Sequence, residues 1–377
     1  MDYLTWSIPE KVTIEIRIIK LKLKKVFETS FGKDEGYRVV MVTEKDGCLG
    51  FGEAPVGTKP LYSSEFLGSV ISFTEQVIPQ IKRSNDVKEM LSILSKYRGN
   101  QMAKAMIEYS FLTLLSCLRN ESLVKVIGGK VFKLPVQESI GITKDEEELV
   151  KWAEEALSWG ARRLKVKILP GWDVDPVKIL RREFPGVQLL ADANGAYDPM
   201  KSSHWEYLSK VATYVDAIEQ PFPPHDLNFS AKLSSEEDVE VVIDESADTS
   251  LMVSEMAHIM ESTGAKLALN VKPPRLGGLT ESLNALKIAE EAKMPLFIGG
   301  MLETAIGRSL NMVVASAIKG KLEPSDFSPE DHFFERPLAR DPYEIKCGFV
   351  ELRDKPGLLF DIDLDYLNEL TIEKKTL

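Results

Sequence analysis

Five charged residues recur along the middle of the chain. Lys167, Asp192, Glu219, Asp244 and Lys272 are separated by 25, 27, 25 and 28 residues, and each ends a short apolar run: KVK, LLAD, DAIE, VVID and NVK. One strand plus one helix takes up such a length, so the spacing sets all five at the same end of successive strands. Three converging carboxylates repel one another unless a cation binds them. Oxygen ligands with no suitable His or Cys nearby favour Mg²⁺, or else Mn²⁺, over zinc. A lysine flanks the carboxylates on either side. A divalent ion between two lysines suits the removal of a proton next to a carboxylate: the ion stabilises the developing enediolate, and a lysine whose pKa is lowered by neighbouring cations takes the proton.

Side-chain parity supports the same site. In ARRLKVKILPG (161–171), Lys165 and Lys167 share one strand face, while Leu164, Val166 and Ile168 take the other. Asn194 shares a face with Asp192, and Asn270 with Lys272; the opposite parity is Leu, Val, Ile or Ala. A lone acid at a strand end is usually a helix cap, and a lone lysine is usually solvated. Five at this spacing favour a site. Lys165 could sit there to depress the pKa of Lys167, and Glu245, on the other parity from Asp244, reads as a structural neighbour. The four histidines (His204, His225, His258 and His332) form no ligand pair.

The elements that position these residues are strands alternating with helical patterns from residue 135 onward, close to eight units. The fold class is therefore α/β, and a closed TIM barrel is favoured over an open doubly wound sheet. No GxGxxG follows a strand, which counts against a dinucleotide fold. Thr143 with Glu146 reads as a capping box for a helix ending at Gly160, and Asp175-Pro176 starts another that stops before Pro185. Earlier, strict alternation over 12–25 predicts a strand, 37–54 a hairpin turning at Asp46-Gly47, and 64–83, 86–97 and 101–118 helices.

With 377 residues, 44% hydrophobic, 28% charged and a net charge of −11, the chain reads as a soluble globular protein. The acidic balance argues against nucleic acid or an anionic membrane as partner. Cys48, Cys117 and Cys347 fit no disulfide or zinc framework and read as inert thiols in a reducing cytoplasm. The early charges and proline of MDYLTWSIPEK are unlike a signal peptide.

At these residues the chain resembles the enolase superfamily, in its muconate-lactonizing branch, and most of all the o-succinylbenzoate synthase and N-acylamino acid racemase group. The likeness runs through KVKILPGWDVDPV (165–177), LLADANGAYD (189–198), AIEQPF (217–222), DES (244–246), NVKPPRLGGLTE (270–281) and GGMLETAIGR (299–308), with TSFG (29–32) and PLYSSE (60–65) nearer the amino terminus. The pairing of a lysine base with Mg²⁺ is matched to that superfamily rather than reached independently of it. The resemblance implies a modified (β/α) TIM barrel over 131–329, with an α+β capping domain made of 1–130 and completed by 330–377. It implies Asp192, Glu219 and Asp244 as Mg²⁺ ligands and Lys167 and Lys272 as the catalytic pair. The activity implied is o-succinylbenzoate synthase, a dehydration in menaquinone biosynthesis, or N-acylamino acid racemase, on a small-molecule carboxylate. A muconate cycloisomerase or dipeptide epimerase is the alternative, and a non-catalytic barrel scaffold a remoter one. A His–Asp dyad stands in mandelate racemases where this chain has Lys272. Dipeptide epimerases usually grip the substrate amine with Asp-x-Asp, where PSDFSP (324–329) offers Asp326 alone.

Arg275 could keep the Lys272 pKa low or serve as a salt-bridge residue. Gly299 and Gly300 would let substrate approach the backbone, with Met301 and Glu303 lining or bracing the site. Ser30 and Phe31 fall in a loop over the substrate, and Phe31 and Tyr62 either cover it or pack as buried aromatics. A homo-oligomer is expected from the same resemblance.

Overall fold

The structure, a computed structural model, describes residues 2–24, 28–29 and 32–377. Ser30 and Phe31 lie outside the described residues. Near the amino terminus, β1 (Thr13–Lys20), β2 (Tyr37–Lys45) and β3 (Cys48–Ala54) form an antiparallel sheet. Asp46 and Gly47 turn the hairpin with φ of 50° and 79°, a conformation these residues tolerate. β1 ends at Lys20, short of the alternation expected through 25. The Leu21 N–H bonds instead to the Gly36 carbonyl, and Leu23 bridges to Phe334.

Helices α1 (Leu67–Ile81), α2 (Val87–Ser95) and α3 (Gln101–Arg119) follow. α3 lies so close to β3 that a Cβ on Gly52 would come within 1.9 Å of the Met106 carbonyl oxygen. The opening segment MDYLTWSIPE also has a packing role. Tyr3 is fully buried, and its hydroxyl lies 2.9 Å from Thr280 Oγ1.

Seven parallel strands run side by side in chain order: β4 (Glu138–Ile140), β5 (Arg163–Lys167), β6 (Gln188–Asp192), β7 (Ala217–Glu219), β8 (Glu240–Ile243), β9 (Leu267–Val271) and β10 (Leu296–Ile298). Their register sets Lys167 opposite Asp192, and Asp192 opposite Glu219. Leu190, Ala217, Val242, Ala268 and Phe297 form a buried apolar cluster of their own. Asp192, Glu219, Asp244, Asn270 and Gly299 each stand two residues further along the same strands, on the same face. The apolar cluster is thus the floor beneath the polar residues.

Beyond β10, the chain pairs in both directions. Asp326 N–H bonds to the Ile298 carbonyl at 2.9 Å, while Ser325 exchanges backbone bonds of 2.9 Å with Pro135 and Gln137. At the carboxyl terminus, β11 (Thr371–Thr376) pairs antiparallel with β1, joining the last residues to the first sheet.

The helix Glu146–Ser158 is capped by Asp145, whose side chain accepts from the Glu148 N–H, and not by Thr143 with Glu146. Glu148 reaches back to the Lys144 N–H at 3.0 Å, so the reciprocal pair sits two residues later than the sequence suggests. Among the described residues no helix is long and apolar enough to cross a membrane.

The cysteines correct a second expectation. Cys48 and Cys117 form a disulfide, Cα–Cα 5.9 Å, that ties the start of β3 to the end of α3, while Cys347 remains free. Two thiols 69 residues apart meet because the sheet and helix they end are packed face to face. Closing a loop of that size stabilises the fold by about 4 kcal/mol in the chain-entropy model. Cys48→Ser, or reduction, is therefore expected to lower Tm by several degrees in calorimetry, and an unchanged Tm would show the bond contributes nothing.

Glu53, at the end of β3, reaches across to the Ala305–Ser316 helix and accepts from Thr304 and Gly307 N–H groups. Burial, only partly offset by Arg38, pushes its carboxyl up to about 7. Between the ordinary carboxylate range and pH 7 the folded chain then holds a proton that the unfolded chain has released. That contribution to stability, roughly 3 kcal/mol at most, is present at low pH and lost as pH rises through 7. In denaturation curves across that window, Glu53→Gln should flatten the decline; an identical slope would remove Glu53 as its source.

Candidate active site

The strand ends gather Lys165, Lys167, Asp192, Glu219, Asp244 and Lys272 into one buried cluster, with Arg275 on Asp244. Lys167 Nζ donates to Asp192 Oδ2 at 2.6 Å and to Asn194 Oδ1 at 2.7 Å. Across the cluster, Lys272 Nζ donates to Asp244 Oδ2 at 2.7 Å and lies 3.2 Å from the Tyr62 hydroxyl. Glu219 lies between them, its Oε1 accepting from Asn270 Nδ2 at 2.7 Å. Its Oε2 is buried and accepts no hydrogen bond among the described residues, with the Lys165 ammonium 3.4 Å away.

The backbone assists this placement. Gln220, just after Glu219, holds φ at 37°, a strained value for a residue with a Cβ. Its side chain pins the neighbouring strand end by accepting from the Asp244 and Ser246 N–H groups at 3.1 Å each. Gly299 has a different purpose from the one expected. A Cβ there would meet Asn270 Oδ1 at 2.1 Å, so the glycine makes room for the amide that steadies Glu219. Gly300 and Met301 line the cavity, of about 450 Å³, and so does Tyr62. Glu303 braces from outside, accepting from Asn311 Nδ2 at 3.0 Å. Glu245 accepts from Asn194 at 2.9 Å, which orients the amide that contacts Lys167.

The electrostatics differ in part from the expectation of depressed lysines. Burial alone would lower Lys272, but the Asp244 carboxylate reverses this and holds it well above its usual value. Burial pulls Asp244 upward, yet Arg275, Lys272 and Lys165 together keep it far below the ordinary carboxylate range. Arg275 is thus an ion-pair partner of Asp244, and it also donates to Tyr62 at 2.9 Å. Glu219 behaves oppositely: burial and the nearby Asp192 push it up to about 8, against the pull of Lys165. Burial and Asp244 raise Glu245 to about 7.

Lys165 does not serve as a bystander to Lys167. It ion-pairs with Asp326 Oδ2 at 3.1 Å. Asp326 in turn accepts from Gln137 at 2.9 Å, Ser139 at 2.8 Å and the Gly300 N–H at 3.1 Å. This four-donor seat was not foreseen. Its sequence trace is faint: Ser139 lies on β4, and Asp326 follows a proline outside any apolar run.

The donor set fits a hard divalent cation: three carboxylates from adjacent strands, all oxygen, one of them with a buried oxygen lacking a hydrogen bond. Among the described residues, the acids and histidines do not close into a ready-made metal cage, because Lys167, Lys165, Lys272 and Arg275 are interleaved with the carboxylates.

Residues 148–366 match the family model described as enolase C-terminal domain-like. The chain is 34% identical over 362 residues to the N-succinylamino acid racemase of Thermus thermophilus, covering 95% of this chain and 96% of that protein. It is 30% identical over 353 residues to the o-succinylbenzoate synthase of Geobacillus kaustophilus, with 92% of each covered. The crystal structure of muconate lactonizing enzyme from Pseudomonas fluorescens superposes with a TM-score of 0.87 over 97% of this chain and 100% of that one. At 21% identity this likeness speaks to the fold alone. The chain belongs to the enolase superfamily, in the muconate-lactonizing branch that holds these synthases and racemases.

Proposed function

We propose that the chain removes the proton α to a carboxylate, acting as an o-succinylbenzoate synthase, an N-succinylamino acid racemase, or both. The observation that carries this is the placement of Lys167 and Lys272: two buried amines, each on a carboxylate of a neighbouring strand, flanking Glu219 at the edge of one cavity. Asp192, Glu219 and Asp244 would hold Mg²⁺, or Mn²⁺ in its place. Bound there, the ion would take up carboxylate charge that now raises Lys272 and would stabilise the negative charge of the enediolate. In racemisation, Lys167 and Lys272 exchange roles as acid and base on opposite faces of the α-carbon. In dehydration, Lys167 takes the proton and returns it to the departing hydroxide, while the Lys272 ammonium holds the developing anion. Asn194 and Tyr62 keep the two amines pointed into the cavity.

Asp326 argues against a dipeptide epimerase. Its carboxylate is engaged by Lys165, Gln137, Ser139 and Gly300, which leaves it poorly placed to grip a substrate amine. The domain division expected from the sequence carries over as part of the same reading. The β11–β1 pairing supports a capping unit made of both chain ends, and the two-sided backbone bonding of 323–326 supports an eighth stave that closes the barrel. A homo-oligomer and a cytoplasmic setting complete the proposal. Light scattering tests the first and fractionation the second.

The deciding experiment supplies purified protein and Mg²⁺ with the cyclohexadiene precursor of o-succinylbenzoate and, separately, with single enantiomers of N-succinylamino acids. Turnover of at least one is expected. Failure on both would overturn the assignment.

A further inference from the structure

Arg308 is a charged group for which the chemistry above has no use. It sits in the first turns of the Ala305–Ser316 helix, 2% exposed, and it lines the active-site cavity. A guanidinium carries five N–H donors. Here Nη1 donates to the Asp326 carbonyl, and among the described residues Nε has no hydrogen-bond acceptor. Nη2 makes no hydrogen bond among the described residues. Leaving the buried Nε unmatched costs free energy that an acceptor would recover.

The surroundings leave the group open on one side. A Cβ on Gly300 would come within 3.1 Å of Nη1, so the glycine keeps the cavity side clear. Glu303 Oε2 stands 3.7 Å from Nε, near enough to be a counter-ion and too far for a hydrogen bond. The remaining charged and titratable neighbours are Asp326, Glu330 and Tyr343. Of these, Asp326 is matched to Lys165, Glu330 accepts from the Leu338 and Ala339 N–H groups, and Tyr343 donates to the Ser328 carbonyl. Asp326 thus separates two stations along the cavity: its carboxylate faces Lys165 and the catalytic lysines, and its carbonyl faces Arg308.

We propose that Arg308 binds a second carboxylate, carried on the arm of the substrate remote from the reacting α-carbon, and so sets the preference for dicarboxylic substrates. The proposal rests on the functional reading above and names a recognition element for it. An arginine suits the task because two parallel N–H donors match a carboxylate edge.

The test compares N-succinyl- and N-butyrylphenylalanine, which differ in whether the acyl arm ends in a carboxylate or a methyl group. In wild-type protein the ratio of kcat/KM, succinyl over butyryl, should favour the acid. Arg308→Met should reduce that ratio about 30-fold, chiefly through KM, and Arg308→Lys should recover part of it. Equal losses on both substrates would mark Arg308 as a structural residue and overturn the proposal. If Arg308→Met fails to fold, Arg308→Lys carries the test through the same ratio. If wild-type protein turns over neither compound, the racemase part of the functional reading fails, and calorimetric binding of the same pair decides the subsite separately. Tighter binding of the succinyl compound that weakens in the Arg308 variant would uphold it; equal binding would end it.

Discussion

Lys167→Met lowers kcat by about 10²- to 10⁴-fold, and Lys272→Met does the same for racemisation, the range expected when a positioned acid or base is lost. Methionine keeps the stem of the side chain and removes the amine, so packing is largely retained. The two variants should also differ in kind. In the proposed racemisation each lysine addresses one face of the α-carbon, so each variant should stop the wash-in of solvent deuterium from one enantiomer while the other still exchanges. Proton NMR in D₂O reads this directly. In the proposed dehydration the pair is unequal: Lys167 would move the proton, whereas Lys272, held on Asp244 and beside Tyr62, would contribute charge alone. Lys272→Arg should then retain more synthase than racemase activity. Exchange of both enantiomers in either methionine variant would contradict one base per face.

Removal of divalent metal with EDTA should abolish turnover, and Mg²⁺ should restore it. Glu219→Gln is expected to raise the Mg²⁺ concentration for half-maximal activity by about 100-fold or more, since it alters the carboxylate whose Oε2 has no hydrogen bond. Asn270→Ala, which frees Glu219 Oε1, should cost about 10- to 100-fold in metal affinity, as outer partners of metal ligands do. Titration calorimetry with Mg²⁺ measures both. Unchanged affinity in Glu219→Gln would remove that residue from the ligand set.

The five strand-end charges were legible because two periodicities act on them at once. A strand alternates its faces, and a strand–helix unit repeats at a nearly fixed length, so residue type and number alone put Lys167, Asp192, Glu219, Asp244 and Lys272 on one rim. Other parts left no such trace. Asp326 follows a proline in a segment without an apolar run, and its partnership with Lys165 spans 161 residues. The Cys48–Cys117 bond depends on how α3 lies against β3, which neither element encodes alone. Tyr62 comes from outside the strand–helix repeat, so spacing could not show that its hydroxyl meets both Lys272 and Arg275. Glycine type suggested open backbone at 299, whereas the space is filled by Asn270, a packing fact visible only in three dimensions. The raised Lys272 was not foreseen because counting nearby cations overlooks the carboxylate that binds it.

A crystal grown with Mn²⁺ and measured for anomalous scattering tests the central claim most directly. One strong peak should lie among the carboxylate oxygens of Asp192, Glu219 and Asp244, with the amines of Lys167 and Lys272 on its two flanks. A fully active, Mn²⁺-saturated protein with no peak at that place, or with its manganese held by other residues, would contradict it.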